Sequence, residues 1–203
     1  MKAAKLVAAV AMVVTAGAAS AGDWYGSAGF DQKVKQNSST NEYHNVYSMV
    51  IGTKLGNGFS VEGLVENEQV ERSSSGQAHE GLYQLRLNKS FDTGTIFTPY
   101  VGVAVGEKNK ATIDFPIYRY DIGTTVKITE QIGAKLNWRH RQAFDSKLSN
   151  GTATKYSTDE TRIGVYYKLT PVDTITVSYA QERNTDGISS EYNTTAISYS
   201  RSF

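Results

Sequence analysis

The sequence contains no cysteine, three prolines and three histidines in 203 residues. The lack of cysteine excludes disulfide frameworks, thiolate zinc sites and thiol nucleophiles together. Charge of one sign is also missing: 21 basic and 20 acidic residues give a formal net charge of +1, so the balance points to no polyanionic partner. Beyond residue 21 no apolar run approaches the ~20 residues of a membrane-spanning helix. The sequence carries no Gly-rich phosphate loop, no nucleic-acid motif and no metal-ligand cluster, so neither cofactor, metal nor nucleic acid is expected. What is plentiful is glycine, with 18 residues, and tyrosine, with 13. That composition suits an all-β chain of many short strands and disfavours a helical bundle.

Residues 1–21 read as a secretory signal. Lys2 and Lys5 give a positive start, Leu6 to Ala16 is almost wholly apolar, and Ala19-Ser20-Ala21 supplies the small residues that a signal peptidase requires. A retained membrane helix is the alternative, for which the apolar run is short. Cleavage after Ala21 leaves residues 22–203 as one domain with 19 basic and 20 acidic residues.

From residue 24 onward the chain divides into ten segments of period-2 alternation, about 24–35, 43–55, 59–72, 80–91, 96–106, 114–128, 131–145, 158–169, 174–183 and 191–203. Each is long enough to cross a bilayer as a tilted strand. The connections alternate in length. Long ones, rich in Ser, Thr, Asn and Gly, fall near 36–42, 73–79, 107–113, 146–157 and 184–190, and short turns at 56–58, 92–95, 129–130 and 170–173. All but the third turn carry residues suited to turning. Such alternation predicts a meander with two chemically different ends: an all-β, antiparallel up-and-down transmembrane β-barrel of about ten strands, eight and twelve being the neighbouring even counts. In outer-membrane barrels the short turns and both termini are periplasmic, and the same is expected here.

Parity assigns the faces, because successive side chains of a strand point to opposite sides of the sheet. Ile132, Ala134, Leu136 and Trp138 oppose Lys135, Asn137, Arg139 and Arg141; Val101, Val103 and Val105 oppose Tyr100, Gly102 and Ala104. The apolar face suits hydrocarbon. Aromatic residues collect at both ends, with Trp24, Phe59, Phe91, Phe97 and Phe203 at one and Tyr47, Tyr83, Tyr118, Trp138 and Phe144 at the other, as two interfacial girdles would.

The last segment, Thr194 to Phe203, ends in Phe with Ile197 and Tyr199 at alternate positions before it. It resembles the C-terminal signal by which Gram-negative outer-membrane proteins are recognised by the barrel assembly machinery. Arg201 departs from that pattern, in which a hydrophobic residue is common; its stem suits snorkelling to headgroups. The Asn57-Gly58-Phe59 turn, the basic inward positions, and the stretches Tyr118-Arg119-Tyr120 and Trp138-Arg139-His140-Arg141 resemble the oligogalacturonate-specific porin family. Those are small barrels that carry acidic oligosaccharides along arginine tracks. The resemblance implies an acidic saccharide as substrate, although that family has twelve strands.

Charges on the inward face are the main functional signal. A basic wall is expected from Arg86, Arg119, Lys127, Lys135, Arg139, Arg141, Arg162 and Lys168, with Lys33 and Lys54 besides. An acidic wall is expected from Asp31, Glu62, Glu66, Glu68, Asp121 and Glu182. The acids gather on the third segment and the bases on the sixth to eighth. An excess of positive charge argues for water inside, since an unpaired buried charge is costly. Small inward residues such as Gly52, Gly133, Gly164 and Ser178 would leave room. Ten strands lie between the eight that side chains can just fill and the sixteen of an open porin. The first reading is therefore a narrow, anion-preferring pore for small acidic solutes or oligosaccharides. The alternative is a plugged barrel acting through its outer loops, in adhesion or lipopolysaccharide contact. Expected partners are outer-membrane lipid, lipopolysaccharide, the assembly machinery and small anions.

An enzyme is not expected. His44, His79 and His140 are the only histidines. His140 has lipid-facing parity, but Trp138 and Gln142 flank it instead of a serine, and Asp145 with Ser146 completes no triad. Glu182, Asn184, Asp186 and Gly187 open like a calcium loop, yet its twelfth position is Asn193.

Overall fold

The computed structural model describes residues 23–36, 42–72, 76–110, 113–144, 156–185 and 191–203. The segment read as a signal and the centres of the outer loops lie outside the described residues. The strands are β1 (Trp24–Lys35), β2 (Glu42–Gly56), β3 (Phe59–Arg72), β4 (Gly76–Ser90), β5 (Phe97–Lys110), β6 (Ile113–Lys127), β7 (Ile132–Ala143), β8 (Ser157–Lys168), β9 (Asp173–Asn184) and β10 (Tyr192–Ser202). Each pairs antiparallel with its neighbours in sequence, and β1 pairs with β10 to close the ring. The fold is an all-β, ten-stranded antiparallel barrel. Among the described residues no helix is long and apolar enough to cross a membrane.

The alternation that sorts lipid-facing from lumen-facing side chains is legible in exposure. Met49 is 70% exposed, and Val103, Ile122, Leu136, Ile163 and Val177 also stand open on the outer face. A water-soluble protein does not carry an apolar surface that continues around its whole girth. Hydrocarbon is the solvent such a surface requires, and closure leaves no strand edge unpaired within it.

Two strands run longer than their alternation indicates. β4 starts at Gly76 and β5 continues to Lys110, so pairing extends through Glu71 opposite Gln77 and Asn109 opposite Asp114. Beyond hydrocarbon nothing selects an apolar face, so these strand ends are polar on both sides and read as loop.

The short turns are built in two ways. Asn57 and Gly58 turn with positive φ of 50° and 77°, the conformation that favours Asn and Gly in two-residue hairpins. A Cβ on Gly58 would come within 2.2 Å of the Ser90 carbonyl oxygen. In the third turn, which lacks Gly, Pro, Asn and Asp, the Thr129 hydroxyl accepts from the backbone N–H of Gln131 (3.2 Å) and Ile132 (2.9 Å). Thr170 repeats the device, accepting from Val172 (3.3 Å) and Asp173 (3.0 Å). A threonine hydroxyl thus supplies the local bonds that a turn residue would.

The seam brings the first and last strands together. Tyr25 lies opposite Ser202 and Lys35 opposite Tyr192, and the Phe203 N–H donates to the Trp24 carbonyl at 2.8 Å. Ile197 and Tyr199 point outward on β10. Arg201 also stays at the surface, 3.6 Å from Asp173, whose carboxylate accepts from the Tyr199 hydroxyl at 2.5 Å.

Candidate functional site

Inward positions on all ten strands meet in the lumen, which differs along its length. At the end that carries Trp24 and Phe203, three tyrosines lie across glycines directly opposite on the next strand: Tyr25 on Gly52, Tyr100 on Gly123 and Tyr166 on Gly133. A Cβ on any of these glycines would meet the ring at 2.6 Å or less. The space expected from Gly52 and Gly133 is therefore filled by rings from the facing strand, a close approach that only glycine allows.

In the middle, basic and acidic groups interdigitate. Arg119, 2% exposed, forks onto Asp121, its Nε 2.5 Å from Oδ2 and its Nη2 2.8 Å from Oδ1, and Nη1 donates to Gln84 at 3.1 Å. Arg139 reaches Asp121 at 3.2 Å and Glu160 at 3.3 Å. Arg162 joins Glu160 to Asp31, both at 3.0 Å. Arg141 lies 3.9 Å from both Glu160 and Glu182. Arg86 pairs with Glu62 at 2.8 Å, and the Tyr25 hydroxyl donates to the same carboxylate at 2.7 Å. The expected separation into a basic and an acidic wall is thus interrupted at the centre: Asp121 and Glu160 stand among the arginines of β6, β7 and β8.

Toward the loop end the described residues pack against one another inside the lumen. Leu64, Leu82, Phe115, Ile117 and Tyr156 form an apolar cluster, with the rings of Phe115 and Tyr156 5.3 Å apart. Beside it Glu68 gathers Lys33 (3.4 Å), Lys108 (3.5 Å) and His44 Nδ1 (2.6 Å), while His44 Nε2 lies 2.9 Å from Glu42. Lys108 also reaches Glu80 at 3.3 Å.

Sequence reasoning missed Glu42, His44, Glu80, Lys108 and Glu160. Parity marks all five as inward: Glu42 and His44 share it with Lys54, and Glu160 with Arg162. Their position near loops hid them, and with them went the carboxylates that pair much of the basic excess. What remains unpaired lies near the terminal end. Lys54, Lys135 and Lys168 are exposed and make no ion pair among the described residues, while Lys127 bonds Glu130 in the adjoining turn at 2.6 Å. The surplus charge is therefore distributed along the barrel axis, with free ammonium groups toward one mouth.

Two cavities lined by described residues lie in that half. One of about 470 Å³ opens at the terminal mouth between Tyr25, Lys54, Phe59, Glu62 and Ser202. The other, about 280 Å³, lies deeper, between a charged wall that includes Glu66, Arg86, Lys135 and Arg139 and a wall of small residues that includes Ser27, Ser48, Gly164 and Ser178.

On the outer face His140 Nδ1 lies 2.7 Å from Asp159, as in a hydrolase dyad. Its Nε2 meets the Gln142 amide oxygen at 3.5 Å, and Trp138 stacks against the ring. No nucleophile occupies that position. Asp145, Ser146, Asp186 and Gly187 lie outside the described residues, and Glu182 points into the lumen toward Arg141.

No family model and no curated protein matches the chain. Among solved structures, the chain is similar to an outer membrane channel from Pseudomonas putida F1, with 10% identity, 91% of this chain and 96% of that one covered, and a TM-score of 0.65. It is also similar to the β domain of the Bordetella autotransporter BrkA (10% identity, 91% and 100% covered, TM-score 0.54). A third likeness is to the translocator domain of autotransporter NalP from Neisseria meningitidis (8% identity, 100% and 96% covered, TM-score 0.52). At these identities the likeness establishes the fold, a closed barrel of the outer-membrane type.

Proposed function

We propose that the protein resides in the outer membrane of a Gram-negative bacterium with both termini periplasmic, and acts there as a narrow channel for small solutes, anions ahead of cations. The carrying observation is a pair of lumen cavities, one lined in part by Lys54 and the other by Lys135, ammonium groups that, like that of Lys168, make no ion pair among the described residues. Unpaired charges persist only where water reaches them, and fixed charges in a low-dielectric bore concentrate counterions. On this reading the Tyr156 cluster and the Glu68 and Glu160 ion pairs are what narrows the bore. The finer reading, acidic saccharides as cargo, rests on the resemblance to the oligogalacturonate-specific porins. Residues 1–21 as the export signal, Phe203 with Ile197 and Tyr199 as the assembly signal, and lipopolysaccharide as the outer-loop neighbour complete the proposal.

The apolar cluster favours a second reading, a barrel plugged for good and acting through its outer loops. Conductance in planar bilayers separates the two. The wild type is expected to give small anion-preferring steps, and Lys54→Glu, Lys135→Glu and Lys168→Glu together to reverse the preference. These lysines are better test positions than Arg139 and Arg141, which already hold carboxylates. A wild type without conductance or uptake of small anions overturns the channel reading.

A further inference from the structure

His44 is held in a way that fixes its charge. The residue is 5% exposed, and both ring nitrogens meet carboxylate oxygens: Nδ1 lies 2.6 Å from Glu68 Oε1 and Nε2 2.9 Å from Glu42 Oε1. A neutral imidazole has one donor and one acceptor, whereas an ionised carboxylate only accepts. Both contacts are therefore hydrogen bonds only when the ring carries two protons. Each carboxylate also has ammonium groups that keep it ionised, Lys33 and Lys108 beside Glu68 and Lys35 3.3 Å from Glu42. The proton accordingly sits on His44, as an imidazolium.

The elements around the ring complete the setting. On β10 the Tyr192 ring stands edge-on to His44 at 4.8 Å between centroids, and its hydroxyl donates to Glu42 Oε1 at 3.4 Å. On β9 Glu182 lies opposite Tyr192 and points toward Arg141 of β7. On β4 Glu80 shares Lys108 with Glu68, and Lys108 in turn lies 5.6 Å from the Tyr156 ring of the apolar cluster. The imidazolium thus ties the start of β2 to β3 and, through Glu42 and Tyr192, to β10, next to the groups that narrow the bore.

When the ring gives up a proton, one of its two bonds is lost. The bare nitrogen then turns a lone pair on a carboxylate oxygen within hydrogen-bonding distance, and an attractive contact becomes a repulsive one. We propose that Glu42, His44 and Glu68 form a proton-operated latch: charged His44 fastens the loop end of β2 to β3 and β10, and its deprotonation frees Glu42 together with Tyr192 and widens the bore. Histidine is the side chain suited to that task, because it changes charge in the range between pH 5 and 8. The latch rests on the channel reading for its effect on current, but not for the protonation and movement of its parts.

Two measurements on the folded full-length barrel test it, each across that pH range. In planar bilayers the open probability of the wild type is expected to rise roughly 2- to 10-fold from the acid to the alkaline end, the worth of one hydrogen bond. The variants should part in opposite directions. Gln can donate to one carboxylate only, so His44→Gln is expected to stay at the alkaline level at every pH. In Glu42→Gln the amide can accept from the charged ring and donate to the neutral one, so this variant should stay at the acid level. A merely structural role would shift both alike. The double variant His79→Gln with His140→Gln should keep the wild-type response. Folding of each variant is checked by the mobility difference between boiled and unboiled samples. The second measurement needs no current: in detergent, nuclear magnetic resonance of nitrogen-labelled histidine and carbon-labelled tyrosine should show His44 with two ring protons at the acid end, and the Tyr192 ring signals moving as one of them leaves. A current that does not change with pH, or a pH response that survives in His44→Gln, overturns the proposal. A barrel silent at every pH overturns the channel reading instead, and the ring signals then decide the latch: joint movement of His44 and Tyr192 upholds it, and a singly protonated His44 at the acid end or an unmoved Tyr192 overturns it.

Discussion

Arg119 is the largest side chain buried almost completely in the lumen, and Asp121 is what makes that tenable. The guanidinium forks onto the carboxylate, which also holds Arg139. Asp121→Asn would leave Arg119 buried beside a neutral amide, so unfolding of the reconstituted barrel in urea is expected to show a loss of about 3–5 kcal/mol. Replacing both partners by apolar residues, Arg119→Met with Asp121→Leu, should recover most of it, because no buried guanidinium then faces a neutral group and Arg139, which loses Asp121, keeps Glu160. If the single variant matches wild type, the fork carries no stability. Both residues were legible by parity in a strand whose other face is apolar. Glu80 and Lys108 were not, because they lie where both faces of the strand are polar and alternation carries no sign of direction.

The hairpin turns show the same limit for elements. Asn57-Gly58 announces itself in sequence, whereas the turn after β6 is made by a single threonine hydroxyl that composition does not single out. Thr129→Val keeps the shape and removes two hydrogen bonds, and should cost about 1–2 kcal/mol in the same urea titration, with Thr129→Ser close to wild type. Gly58→Val should cost more, since it puts a β-branched residue at positive φ against the Ser90 carbonyl. Strand number and the lipid-facing side were readable because the bilayer imposes both a length and a face. The three tyrosine-on-glycine contacts were not, because pairing Tyr166 with Gly133 depends on register between strands, which a one-residue shift would abolish.

At the scale of the whole barrel, the described residues pack an apolar cluster toward the loop end and leave cavities toward the other, so the width of the bore should depend on the few groups of that cluster. Tyr156 joins the apolar cluster beside the ammonium groups of Lys108 and Lys110, 5.6 Å and 5.8 Å from its ring. Tyr156→Ala is expected to raise the conductance or open probability measured in bilayers with the anion preference retained; an unchanged record would place the closure elsewhere. The seam between β1 and β10 has a different consequence. With Phe203 bonded to Trp24, the sheet has no privileged starting point as an object, only as a chain. A short Gly-Ser linker across the seam, with new ends opened between 92 and 95, should give a circular permutant that refolds into lipid vesicles. The same permutant buries Phe203 inside the sequence. Cells should therefore fail to insert what the test tube folds, which would separate the information that shapes this barrel from the address that delivers it.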